Sequence, residues 1–231
     1  MRITDIHYNE LMKNYCNYIE IARNEIPKDF GGPSSHFHQR SLEELNNSFL
    51  NEPHLEMIYA TLASWGMHRM GKTYTKLVDY CDFKNTILSH KKELTELKYV
   101  HIEDLTVENL KEIIIKLKQI CFEMKVSISN SKIVGNSKTL AHILPNLVPP
   151  IDRQYTIRFF KCIELRKNVG DFKGENEEKE YFEYIMEKAY DFIVQIKSCD
   201  KIIIDNKFNT SYPKIFDNII VAYIKTNTPS S

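Results

Sequence analysis

The sequence predicts an all-α protein, and three observations carry that prediction. Helix breakers are scarce, with 7 glycines and 8 prolines in 231 residues. Apolar residues recur at three- and four-residue spacing through most of the chain, the period of a helix with one buried face. The four or five apolar, turn-bounded runs that a buried sheet needs cannot be found. Residues 1–231 are expected to form one helical domain, either a single bundle or two lobes, and 42% hydrophobic residues suffice for a substantial core.

The elements follow in order. Residues 8–23 read as a first helix with Leu11, Tyr15, Tyr18 and Ile19 on one stripe. Residues 24–40, with Gly31, Gly32 and Pro33, read as a long loop. Ser41-Leu42-Glu43-Glu44 has the form of a capping box and starts a helix through about Leu50. Pro53 opens the next, in which Leu55, Ile58, Leu62 and Trp65 make a core face. A charged helix follows Asp82. Thr106 then caps one whose stripe is Leu110, Ile113, Ile114, Leu117 and Cys121, and residues 126–130 are briefly extended. Residues 152–166 form a helix with Ile157, Phe160 and Ile163 inward, and 170–180 is an acidic, glycine-containing linker. Residues 178–198 carry Phe182, Ile185, Ala189, Phe192, Ile193 and Ile196 on one side; 201–205 is ambiguous between strand and helix end, and 213–225 closes the chain as a helix.

Residues 132–160, KIVGNSKTLAHILPNLVPPIDRQYTIRFF, hold the densest set of chemical signals. Gly135 and Asn136 tolerate left-handed backbone, so they are expected to turn. Ser137 stands where an N-cap should stand before a helix over 138–144. Pro145 ends that helix, Pro149 and Pro150 stiffen the connection, and Asp152 opens another helix whose positive end favours a carboxylate. The expectation is that Lys138 and Asp152 converge on one cleft.

This order of turn, Ser137-Lys138, helix, apolar run and Ile151-Asp152-Arg153 resembles the helix-hairpin-helix DNA glycosylases, the superfamily of endonuclease III and the 8-oxoguanine glycosylases. The likeness spans about thirty residues. Val134, Gly135 and Asn136 stand where that family has glycine-x-glycine, and Lys138 precedes Asp152 by 14 residues, fewer than is usual there. The resemblance implies a two-lobed helical bundle with a helix-hairpin-helix-like element near 132–166. It implies a DNA-repair glycosylase, with or without lyase activity, acting on double-stranded DNA with a damaged base. Asp152 would stabilise the developing oxocarbenium or orient water, and Lys138, with a lowered pKa, would attack C1′. Gly135, Asn136 and Ser137 would offer hairpin N–H groups to phosphate, Arg153 and Arg158 would hold phosphates, and Trp65, Arg69 and Lys72 would stack on or contact the duplex. Trp65, Tyr155, Phe159 and Phe160 are the aromatic candidates for a base pocket. No cofactor is implied.

Other readings stand beside this one. The net formal charge of zero argues for a helix-hairpin-helix-like module that binds nucleic acid or protein without catalysis. Residues 66–73 fit the G-x-x-x-x-G-K-[ST] pattern of a phosphate-binding loop, but that loop needs a buried strand before Gly66, and 55–65 has helical periodicity. His36 and His38 form an H-x-H pair with no third ligand nearby in sequence, so no metal site is assigned. His142 lies on the same helical face as Lys138. The five cysteines, Cys16, Cys81, Cys121, Cys162 and Cys199, are widely spaced and read as reduced core thiols. No apolar signal or membrane-spanning segment is visible, which makes the cytoplasm the expected location.

Overall fold

The computed structural model describes residues 5–29, 31–67, 76–165, 167, 169–198, 204–205 and 208–228. Among the described residues there are eleven α-helices and no strand. Helices α1 (Ile6–Lys13) and α2 (Tyr15–Asp29) replace the single first helix, because the chain leaves helical geometry at Asn14. The loop expected over 24–40 is mostly helix: α2 runs to Asp29 and α3 (Pro33–Asn47) starts immediately after Gly32. Gly32 takes φ 62°, a left-handed backbone that suits glycine, and Pro33 then has its fixed φ at a helix start where no N–H is needed.

Helix α4 (Glu52–Leu62) buries Leu55, Ile58 and Leu62 completely. It runs into a π-turn over Ala63–Met67, where Gly66 has φ 89°. That turn swings Trp65 off the core stripe its spacing suggested and leaves it half-buried. Helices α5 (Tyr80–Leu88) and α6 (Lys91–Leu97) follow. In α7 (Val107–Glu123), Thr106 Oγ1 accepts the Asn109 N–H at 3.3 Å, as expected of a cap. The stretch after α7 is briefly extended: it forms a lone antiparallel bridge between Leu77 and Ser127, in which the Ile128 N–H donates to the Lys76 carbonyl.

Helix α8 (Ile133–Ile143) begins four residues before Ser137. The turn expected at Gly135-Asn136 is therefore not formed. Two tertiary contacts decide this. Glu178 of α10 (Glu175–Ile196) accepts the N–H groups of Lys132 and Ile133 at 2.9 and 3.2 Å, capping α8 from a distant part of the chain. Asn136 Nδ2 donates to the carbonyls of Cys121 and Met124 at the end of α7. Removing the cap with Glu178→Ala leaves the buried Ile133 N–H and the half-buried Lys132 N–H unpaired, and urea unfolding should report a loss of about 2 kcal/mol; an unchanged midpoint would mean that water replaces the carboxylate.

After α8 a π-turn (Arg153–Ile157) and the short α9 (Arg158–Lys161) replace the longer helix expected over 152–166, and Ile163, expected inward, is 55% exposed. Helix α10 buries all six residues of its predicted stripe, and α11 (Tyr212–Asn227) starts at Ser211, whose hydroxyl accepts the Lys214 N–H. Helix α11 packs along α2 and against α10, with Phe216 and Tyr223 in the same core as Tyr8 and Leu11. Cys121 and Cys162 are buried thiols as expected, whereas Cys81 is exposed; Cys199 and the run 201–203 lie outside the described residues. No helix among the described residues is long and apolar enough to cross a membrane.

Candidate functional site

Lys138 projects from the middle of α8 and Asp152 stands at the start of the π-turn that follows Pro149-Pro150. The two meet: Lys138 Nζ donates to Asp152 Oδ2 at 2.5 Å. Hydrogen bonds around the π-turn position Asp152. Asp152 Oδ1 accepts the Gln154 N–H at 2.7 Å as a cap, its own N–H donates to Thr156 Oγ1, and the preceding Ile151 N–H donates to Ser137 Oγ on α8. Only 7% of Lys138 is exposed, while the Asp152 side chain keeps a quarter of its surface open. Burial alone would raise the Asp152 carboxyl. The Lys138 charge and hydrogen bond, with N–H donation from Gln154 and Tyr155, overcome it and hold the group below the usual carboxylate range.

The pair borders a cavity of about 460 Å³, within the span of small-ligand sites. Trp65 and Tyr155 supply aromatic faces to it, and Pro150 and Val221 supply apolar ones. Two ammonium groups approach the Trp65 ring, with Lys138 Nζ 5.7 Å and Lys214 Nζ 5.8 Å from its centre.

Lys214 belongs to a second ion pair that sequence reasoning missed. Its Nζ lies 2.6 Å from Asp217 Oδ2, both residues are on α11, and both line the cavity. Burial pushes the Asp217 carboxyl up, and the charge of Asp152 adds to that, against the lowering effect of Lys214 and Lys138. One cavity thus holds two carboxyl groups whose surroundings move them in opposite directions, an arrangement suited to an acid and a base working on one ligand. The spacing of Lys214 and Asp217 reads as an ordinary solvated i,i+3 pair; nothing in the chain near α11 announces that α8 and the π-turn pack opposite it.

Histidines form the third part. His142 Nδ1 donates to the Lys138 carbonyl at 2.8 Å, and His38 Nδ1 lies 3.0 Å from His142 Nε2. The Trp65 ring lies 5.0 Å from that of His142 and 5.6 Å from that of His38. His38 of the expected H-x-H pair is thus turned inward from α3, beside the cavity.

The remaining predicted residues are distributed otherwise. Gly135, Asn136 and Ser137 are buried inside α8, and a Cβ at Gly135 would sit 3.1 Å from Met67 Cε and 3.2 Å from Val126 Cγ2, so glycine there serves close packing. Arg153 turns away, donating to the Val169 carbonyl and to Asp171. Neither Arg153 nor Arg158 lines the cavity. Phe159 and Phe160 are fully buried and pack on each other in the core. Arg69 and Lys72, with the rest of the phosphate-loop pattern from 68 to 73, lie outside the described residues; α4 and the π-turn occupy the place before Gly66 where that loop requires a strand. No family model, curated protein or solved structure matches the chain.

Proposed function

We propose that the chain is a DNA-repair glycosylase whose cavity receives an everted, damaged base. The observation that carries this reading is the Lys138–Asp152 pair at the edge of an aromatic-walled cavity of about 460 Å³. In this reading residues 132–166 serve as the helix-hairpin-helix-like element beside the base pocket.

Taking a base out of the stack costs a few kcal/mol, which the faces of Trp65 and Tyr155 offset by stacking. As the bond between C1′ and the base nitrogen breaks, its electron pair leaves with the base and positive charge develops on the sugar. The ionised Asp152 carboxylate stabilises that charge. Asp217, with its raised carboxyl, is the group in the cavity suited to return a proton to the departing base. Water then adds to C1′ and passes its proton to Asp152, giving a monofunctional enzyme. In the bifunctional course Lys138 Nζ first gives a proton to Asp152; the neutral amine adds to C1′, a second proton passes from nitrogen to O4′ as the C1′–O4′ bond opens, and the nitrogen lone pair forms the Schiff base that precedes strand cleavage.

Borohydride trapping distinguishes these courses. With duplexes carrying 8-oxoguanine or an abasic site, a covalent protein–DNA adduct that disappears in Lys138→Ala is the expected result for the lyase. Base release without adduct leaves the hydrolytic course. Neither adduct nor released base across a lesion panel would sink the enzymatic reading. It would favour the non-catalytic nucleic-acid or protein-binding module, for which two closed ion pairs and zero net charge already speak.

A further inference from the structure

The histidine chain ends on an atom with nothing to bond. A carbonyl only accepts, so the 2.8 Å contact of His142 Nδ1 with the Lys138 carbonyl places a hydrogen on Nδ1. Burial first of all, then the nearby cations, hold His142 down to about 4, so at neutral pH its Nε2 carries only a lone pair. The 3.0 Å contact between that Nε2 and His38 Nδ1 therefore requires the hydrogen to be on His38 Nδ1. His38 is itself held neutral, by burial first and then by His142 and Lys214, at about 2. Its second nitrogen, Nε2, is left as a bare lone pair, buried and without a hydrogen-bond partner among the described residues. His38 is only 9% exposed and lines the cavity beside Trp65 and Lys138.

A buried acceptor with no donor is costly, and a ligand that brings the donor removes the cost. The neighbouring cations of the cavity, Lys138 and Lys214, are each engaged with a carboxylate. We propose that His38 Nε2 is the specificity-determining acceptor of this cavity, and that it selects a planar heteroaromatic ligand presenting a ring N–H. The inference rests on reading the cavity as a base pocket and adds to it the class of base: one with a ring N–H is accepted, and one with only ring lone pairs meets a lone pair and is rejected. Sites that hydrogen-bond a substrate discriminate more strongly than sites that merely enclose it, because a mismatch leaves buried groups unpaired.

The test uses the full chain and duplexes carrying uracil, hypoxanthine or 8-oxoguanine, each with a ring N–H, and 1,N6-ethenoadenine, which has none. Wild type should release the first group in preference to ethenoadenine. His38→Ala should lose about tenfold or more on whichever of the first group wild type releases, with ethenoadenine changed less than about threefold, the loss of one hydrogen bond. His38→Gln, which keeps an acceptor oxygen, should recover part of the preference and guards against misfolding of the alanine variant. A second readout does not depend on turnover: with ¹⁵N-labelled histidine, the His38 Nε2 resonance of the free protein should be that of an unprotonated nitrogen and should move upfield when a duplex with a ring N–H base binds. Equal loss on all duplexes, or an Nε2 resonance unmoved by a duplex that wild type processes, would overturn the role of His38 while leaving the glycosylase reading intact. If wild type releases no base from any duplex, the underlying reading fails, and this inference with it.

Discussion

On the proposed glycosylase reading, Asp152→Ala is expected to cut base release by about 10²–10³ and to destabilise the fold at once, and the two losses can be separated. The stability loss arises because Lys138, 7% exposed, keeps its ammonium group after its partner is removed. Breaking one side of a buried pair costs about 3–5 kcal/mol, and the quarter of the Asp152 side chain that is open to solvent places this pair at the lower end. On the proposed glycosylase reading the catalytic loss arises because Asp152 is the cavity carboxylate whose surroundings favour the charged form, whereas Asp217 is pushed the opposite way. Removing a group of this kind costs about 10²–10³ in rate. Asp152→Asn keeps the cap on the Gln154 N–H and should fold better than the alanine variant while remaining as inactive. Adding Lys138→Met to Asp152→Ala should recover stability, since no unpaired charge is left, without recovering base release. Urea unfolding and single-turnover release measure the two effects. Release restored in the double variant would show that Asp152 acts only on folding.

The second large effect is loss of stability in mild acid. His38, His54 and His142 are buried in the folded chain, and burial, as the main cause, lowers them to about 2, 4 and 4. An unfolded histidine titrates near 6.5. As pH falls below that value the unfolded chain takes up protons that the folded chain refuses, so stability is fully present above about pH 7 and declines below it. The decline continues to about pH 4 for His54 and His142 and further for His38. By pH 5 each contributes a loss of about 2 kcal/mol, and three together approach the whole stability of an ordinary domain. Because the three groups influence one another, the sum is not strictly additive. Asp217 opposes the trend, since its raised carboxyl favours the folded state as it protonates, and Asp152 withdraws its support only below the ordinary carboxylate range. Denaturant midpoints at pH 7.5 and pH 5 should therefore differ sharply, and His142→Leu should narrow the difference. A stability that is flat over this interval would mean that these imidazoles bind protons in the folded state after all.

Much of the fold is legible in the sequence because helices answer to local rules. Thr106 caps α7, the stripe from Phe182 to Ile196 builds α10, and Leu55, Ile58 and Leu62 bury one face of α4 through spacing alone. The errors fall where a distant residue outweighs the local preference. Gly135-Asn136 has turn chemistry, yet Glu178 caps the chain at Lys132 and Ile133 and the α7 carbonyls hold Asn136, so the segment is helix. Residues 24–40 look like a loop because of their glycines and prolines, but Gly32 and Pro33 mark a start of helix within it.

The sequence by itself determined the all-α class and the helices that bury single apolar stripes, because their period is written in neighbouring residues. It also singled out Lys138 and Asp152, since Asp152 opens an element after two prolines and Lys138 lies in the segment just before. Only the tertiary structure decided that these two share a cavity with Lys214 and Asp217 from α11, with Trp65 near both amines. Only the tertiary structure turned His38 of α3 onto His142 of α8, 104 residues away. Burial and charge at these groups depend on which helices pack together, and that follows from the summed fit of apolar faces along the whole chain rather than from any one stretch of it.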